Sequence, residues 1–349
     1  MKIQQLTWAK ASLAAVVAFG LAGCGGNNTS GGTTATSDAG KTSTPETTTA
    51  DNGPSEIKKV TIGYLPNIVM PQPLLGLTNG EYAKRVPGVE FAGKDFPAGP
   101  AVMEALRGGV VDIAYTGPYP PIKAYGKDRD MVLLAGSATG GTEIMVNKNS
   151  AIKTVQDLKG KAVAINQNGS TVDAMVRYNL LEAGLNPEKD VKLIVIPPAQ
   201  QADALKRNEV AAVAAPAPWP SFVAINGNGR ALLDWKQILA DGDYLAGVVF
   251  TTKKFADKNP NFVKQFVAAH RAITDELNAD RTKGDAAVLA AWSKVTTKRL
   301  APEVAKAAFK TIQFTNEADL EGLKRDADIA VKVGILRKKA DLTGFVYQD

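Results

Sequence analysis

The sequence predicts an α/β protein whose parallel-rich sheets carry helices on both faces. Two observations predict it. Between residues 57 and 252, short β-patterned runs alternate with helical patterns, and beyond 260 the pattern is almost wholly helical. Polar, Gly-rich loops follow the strand runs at 67–72, 98–100, 116–120, 137–142 and 168–171, and several of them open helices. In open α/β sheets those positions lie outside the carboxyl ends of the strands, where ligands bind.

The elements follow in order. KVTIGYL (59–65) reads as a strand, and a short helix lies around 73–78. VEFAGKDF (89–96) is a second strand. Gly99-Pro100 then opens the helix AVMEALRGG, since Pro suits a first helical position and the Gly108-Gly109 pair suits an exit. DIAYTG (112–117), MVLLAGS (131–137) and EIMVNK (143–148) read as strands. So do VKLIVIPP (191–198), AAVAAPA (211–217), RALLDW (230–235) and YLAGVVFTT (244–252).

VAINQNGSTVDAMVRYNLL (163–181) is the most informative stretch: a strand, a Gly-containing loop, then a helix beginning near Ser170. Ser170-x-x-Asp173 has capping-box spacing. Val172, Met175, Val176, Leu180 and Ala183 share one helical face, and Gly184 marks the stop. Unpaired N–H groups and the helix dipole make such a start attractive to an anion. An ordinary strand-to-helix connection has the same pattern.

At 349 residues the chain is long enough for two compact domains. Its 45% hydrophobic and 22% charged content is that of a globular protein. The net charge of +6 is spread along the chain, with no basic stripe interleaved with aromatics, so no nucleic-acid partner is expected. Cys24 is the only cysteine and His270 the only histidine. Disulfides, zinc clusters and Cys–His pairs within one chain are thereby excluded. His270 lies in the helical pattern NFVKQFVAAHRAITDELN, where a hydrogen-bonded structural role is expected rather than catalysis.

Lys2 and Lys10 precede an apolar run at 11–21, too short to span a membrane and typical of an export signal. The run ends in Leu21-Ala22-Gly23-Cys24, which resembles a bacterial lipobox, implying cleavage after Gly23 and a diacylated Cys24. Residues 25–55 hold no large apolar side chain and are expected to be a flexible Thr/Ser/Gly-rich tether. A signal peptide at 1–23 and a lipid-bearing tether at 24–56 place the chain at the extracytoplasmic face of a cell membrane.

GYLPNIVMPQPLLGLTNGEY, FPAGPAVMEALRGGVVDIAYTGPYPPIKAYG, IKTVQDLKGKAVAINQNGS, LIVIPPAQQADALKRNEVAAVAAPAPW and FTTKKFADKNPNFVKQFV together resemble the solute-binding proteins of ABC importers for sulfonates, taurine and nitrate, the aliphatic-sulfonate-binding proteins above all. The resemblance runs from about residue 57 to 275. It implies the two-lobe, type II periplasmic-binding-protein-like fold, with a cleft between lobes joined by two hinge crossovers near 140–142 and 235–244. Lobe one would be 57–140 plus 244–349, and lobe two 141–243. It further implies a small anionic ligand, ABC permease subunits as partners, no cofactor, no metal and no chemical step; a monomer is expected.

By that resemblance Asn168, Gly169, Ser170 and Thr171 form the ligand loop of lobe two, and Thr116 and Gly117 the facing loop of lobe one. Gln72, Gly99 and Pro100 belong to further loops at the cleft. Pro118-Tyr119 replaces a position often polar or acidic in relatives. Pro216-Ala217-Pro218-Trp219 departs from a Trp-acidic-Pro-aromatic pattern, keeping only the last aromatic. Tyr119 and Trp219 are expected either as an apolar wall for a ligand tail or as core. The loops assigned to the cleft hold no Asp or Glu, although Glu143 or Asp203 lies close enough in sequence to reach in. An ammonium buried there would lack a partner, so a simple alkyl or aryl sulfonate is expected to bind ahead of taurine, with nitrate or a carboxylate next. Two other classes compete. Enzymes making the thiamine pyrimidine share the architecture but rely on histidine and a cysteine-rich motif that this chain lacks. A tethered sensor or adhesion module fits the same residues.

Overall fold

The computed structural model describes Ser55 and residues 57–348. The lipobox, Cys24 and nearly all of the tether lie outside the described residues. The chain first makes β1 (Lys59–Tyr64), α1 (Pro71–Thr78), α2 (Glu81–Arg85), β2 (Glu90–Asp95), α3 (Gly99–Arg107), β3 (Ile113–Thr116), α4 (Tyr119–Asp128) and β4 (Val132–Gly140). After one residue come β5 (Thr142–Asn147), β6 (Ala162–Ile165), α5 (Thr171–Glu182), β7 (Lys192–Val195), α6 (Pro198–Lys206), β8 (Ala212–Pro216), α7 (Trp219–Asn226), β9 (Gly229–Leu233) and α8 (Trp235–Ile238). The last part holds β10 (Leu245–Thr251), α9 (Lys253–Lys258), α10 (Pro260–Ala279), α11 (Arg281–Thr296), α12 (Pro302–Phe309), β11 (Ile312–Phe314) and α13 (Leu320–Lys332).

The strands form two sheets, ordered β11-β4-β10-β3-β1-β2 and β7-β6-β8-β5-β9. The chain leaves the first sheet at Gly141 and returns between β9 and β10. Among the described residues four strand pairs are parallel (β1–β2, β1–β3, β6–β7, β6–β8) and five are antiparallel. The sheets are therefore mixed rather than parallel-rich. The reason lies in the crossings. β5 and β10 are the first strands after each passage between sheets, and each runs against both of its neighbours.

Seven consecutive residues of β10 are buried, as a strand covered on both faces requires. α10 buries Phe262, Val263, Phe266, Val267, Ile273 and Leu277 at helical spacing against α1 and α2. Each such side chain contributes about 1.5–3 kcal/mol by leaving water. His270, on that same face, is fully buried. Its Nε2 donates to the Gly136 carbonyl at 2.7 Å, so its Nδ1 accepts from the Tyr115 hydroxyl, also at 2.7 Å. The Tyr115 oxygen in turn lies 2.7 Å from the Tyr82 hydroxyl, which donates to it. Burial holds the imidazole neutral by pushing its pKa down to about 4.

Local signals explain the ends of the elements. Gly184 sits at φ +76°, where the Gly184 N–H reaches the Leu181 carbonyl and the Leu185 N–H reaches the Leu180 carbonyl, closing α5 in a Schellman motif. α4, α6 and α7 carry prolines in their first turns, in YPPIK, PPAQQ and PWPSF. Such Pro clusters resemble loops in sequence, yet Pro in a first turn gives up no helical hydrogen bond.

Candidate ligand cleft

The two crossings lie side by side. Gly140 and Gly141 both take positive φ, +77° and +80°. A Cβ on Gly141 would stand 2.5 Å from Ile312 Cγ2, so glycine is needed for both conformation and space. Buried Tyr244, just before β10, ties the crossings together. Its hydroxyl accepts from the Thr142 N–H at 3.0 Å, and its carbonyl accepts from the Gly140 N–H at 3.2 Å.

Away from the crossings, loops from the two sheets meet. Gly99 at the start of α3 backs onto Thr116, whose Oγ1 would lie 2.4 Å from an added Cβ. Gly117, just after β3, faces Thr171 at the start of α5. A Cβ on Gly117 would fall 2.1 Å from Thr171 Oγ1 and 2.7 Å from its Cβ. Farther along, Trp219 of α7 packs edge-on against Trp292 of α11, with ring centroids 6.0 Å apart. Trp292 donates its indole N–H to the Pro66 carbonyl at 3.0 Å. Lys332 of α13 pairs with Glu182 of α5 and lies over the Tyr178 ring. The loops are thus closed on one another.

The α5 start is built tightly. The Ser170 hydroxyl donates to Asn166 Oδ1 at 2.6 Å and accepts from the Asp173 N–H at 3.1 Å. Asp173 does not complete the capping box on Ser170. One carboxylate oxygen accepts from the Gly169 N–H at 2.7 Å, and the other pairs with Arg177 Nε at 2.6 Å. Burial pushes the Asp173 pKa up, opposed by the Gly169 hydrogen bond and the Arg177 charge. Gly169 takes φ +75° to make this turn. The Ser170 hydroxyl and the Gly169 N–H are therefore engaged inside the loop. Thr171 and Val172, the first two helical residues, have no N–H acceptor among the described residues.

Two more residues named from sequence are engaged internally. Gln72 is fully buried; its Nε2 donates to the Ser137 carbonyl (3.1 Å) and Thr274 Oγ1 (2.8 Å), and its Oε1 accepts from the Ser137 hydroxyl (2.5 Å). Tyr119, also fully buried, donates to Asp326 Oδ1 at 3.2 Å. Of the two options for Tyr119, core is the one that fits. Trp219 lies where the lobes touch, Pro100 is half-buried, and Asn168 is exposed. Among the acids near the cleft, Asp203 is exposed on α6. Glu143, beside the Trp235 N–H, is driven up to about 7 by burial.

Three buried side-chain atoms of loops at strand ends lack a partner among the described residues: Asn67 Oδ1, Gln167 Oε1 and Thr171 Oγ1. They come from the β1–α1 loop and from the β6–α5 connection. Sequence reasoning placed Asn67 in a cleft loop without giving it a role and began the other loop one residue after Gln167, because a loop amide carries no signal of burial. A hollow of about 830 Å³, lined by Asn147, Asp157, Lys161, Glu209 and Asn228, opens at the amino ends of β6 and β8. None of its lining residues has an unpartnered buried side-chain atom, so the loop junction is the stronger candidate. Among the described residues no cluster of three or more His, Cys, Asp or Glu could hold a metal, and no helix is long and apolar enough to cross a membrane.

Two sheets, two adjacent crossings and a seam of facing loops define the two-lobe fold of periplasmic binding proteins. The alkanesulfonate-binding protein SsuA from Xanthomonas axonopodis pv. citri, solved bound to MOPS, has this fold with a TM-score of 0.70 at 24% identity, over 84% of this chain and 99% of that one. The chain belongs to the NMT1-like family, whose profile matches residues 53–292. It is 30% identical over 269 residues to an Escherichia coli (strain K12) protein named for binding aliphatic sulfonates, spanning 76% of this chain and 82% of that one. It is 28% identical over 231 residues to the nitrate/nitrite binding protein NrtA of Synechococcus elongatus, spanning 59% and 51%.

Proposed function

We propose that this chain is the solute-binding protein of an ABC importer, held on the extracytoplasmic face of the membrane by a lipid on Cys24 and capturing a small oxyanion, an alkyl or aryl sulfonate first. Residues 57–140 and 244–349 form lobe one and 141–243 lobe two. The ligand lies between Thr116 and Gly117 on one side and Asn168, Gly169, Ser170 and Thr171 on the other, near Gly99, Pro100 and Trp219. Gln72 and Tyr119 hold the loops from behind, and no chemical step follows.

The observation that carries this reading is the unpartnered buried hydroxyl of Thr171, set against Gly117 at the seam and beside the open N–H groups of α5, with Asn67 Oδ1 and Gln167 Oε1 likewise unpartnered in loops at strand ends. Buried polar groups ordinarily have partners, so an unpaired one at a seam of two lobes marks a ligand's place. An amide presents either its oxygen or its NH₂ by turning over, so Asn67 and Gln167 suit an oxyanion as donors. Asp173, in the first turn of α5, already has Gly169 and Arg177, so it is not free to pair with a ligand ammonium.

Calorimetry with matched ligands tests the reading. Ethanesulfonate is expected to bind at least tenfold more tightly than taurine; the reverse order sinks the charge argument, and nitrate or a carboxylate binding more tightly than either reassigns the ligand. Replacing Cys24 with Ser is expected to move the protein from the membrane to the soluble fraction with its signal uncut or aberrantly cut. Full membrane retention of Cys24→Ser protein lacking residues 1–23 contradicts the anchor.

A further inference from the structure

One cation at the seam has no partner among the described residues. Lys123 lies one turn into α4, in lobe one, with its side chain exposed. Its Nζ stands 3.9 Å from the point that a Cβ on Gly169 would occupy, across the seam in lobe two. No acid among the described residues is in salt-bridge contact with Lys123; Asp128, on the same helix, is held by Arg107.

What Lys123 faces is itself positive. The α5 start carries roughly half a unit charge, concentrated on its open N–H groups. The carboxylate that would offset it, Asp173, is neutralised by Arg177 and by the Gly169 N–H. A second observation points to a missing occupant: the Thr171 hydroxyl, at the first helical position, has no partner although Thr171 is only 8% exposed. An ammonium brought to a helix start with no anion between them is an unfavourable arrangement, and an oxyanion between them removes the conflict.

We propose that Lys123 is the charge-pairing residue of the site: it reaches from lobe one to the ligand's oxyanion as lobe two supplies the α5 N–H groups, so that lobe closure is favoured only with an anion in place. The inference rests on the oxyanion-binding reading above. Because the side chain is exposed, it acts at the rim, where a charge affects capture and its dependence on salt more than the buried contacts do.

Calorimetry of the mature protein with ethanesulfonate across an ionic-strength series is the test. Lys123→Gln is expected to weaken binding roughly tenfold at low salt and to flatten the dependence of Kd on salt, while Lys123→Arg keeps both within about threefold of the parent. Equal affinity and equal salt slope for Lys123→Gln and the parent overturn the role of Lys123 while leaving the oxyanion reading intact. A parent protein that binds none of ethanesulfonate, nitrate and acetate overturns both. An affinity loss in Lys123→Gln with an unchanged salt slope also overturns it, since packing rather than charge is then responsible.

Discussion

Gly117→Ala is expected to lower ligand affinity at least a hundredfold, equivalent to about 2.7 kcal/mol. The added Cβ would fall 2.1 Å from Thr171 Oγ1 and 2.7 Å from Thr171 Cβ, distances that no real methyl tolerates. Rotating Thr171 moves its hydroxyl but leaves its Cβ in place, because the helix start is pinned by the Ser170 and Asp173 bonds. The remaining relief is to part the lobes, which exposes the seam and forfeits contacts on both sides of a ligand. Calorimetry with ethanesulfonate gives the affinity, and small-angle scattering of the saturated variant is expected to report a larger radius of gyration than the saturated parent. Adding Thr171→Gly removes the colliding atoms and is expected to restore closure, though not the hydroxyl. Unaltered affinity in Gly117→Ala would place the ligand elsewhere than this seam.

The strand ladder was largely legible in the sequence. β1, β2, β3, β7, β8 and β10 fall within the runs read as strands, and β5 and β9 overlap theirs but start one residue earlier, because β-branched and aliphatic clusters bounded by Gly and Pro have few other uses. What escaped was the sense of the strands: pairing direction depends on where the chain crosses between sheets, and no local pattern records that. β11 escaped because three residues, Ile312 to Phe314, sit between helices and add one edge to a distant strand. At the site, the loops were visible but the occupancy of each donor was not. Ser170-x-x-Asp173 reads as a capping box, yet the Asp173 carboxylate reaches back one residue further, to the Gly169 N–H. Gln72 and Tyr119 looked available because their partners, Thr274 and Asp326, lie 202 and 207 residues away. Such partners are invisible to any reading of spacing.

The second large effect concerns pH. Asp326 is 1% exposed on α13, and burial drives its carboxyl from 3.8 up to about 7, against the opposing pull of Arg325 and the Tyr119 hydrogen bond. A carboxyl raised by about three units favours the folded state while it is protonated; that advantage is fully present below pH 3.8 and is lost as pH climbs through 7, a change of up to about 4 kcal/mol. Glu143, raised from 4.5 to about 7, has the same sign. His270 has the opposite one: lowered from 6.5 to about 4, it costs the fold about 3 kcal/mol as pH falls through that window, because the unfolded chain takes the proton first. Between pH 4.5 and 6.5 the His270 slope therefore offsets one of the two carboxyl slopes and leaves the other. Asp326→Asn keeps an acceptor for Tyr119 and removes one slope. In urea titrations at a series of pH values, its stability relative to the parent is expected to rise steadily between pH 4 and pH 7.5, by as much as about 4 kcal/mol, and then to level off. A difference that stays constant across that range would mean Asp326 ionises no differently in the folded and unfolded chains. The Tyr119–Asp326 contact would then be an ordinary hydrogen bond at the foot of α4, with no charge held back by burial.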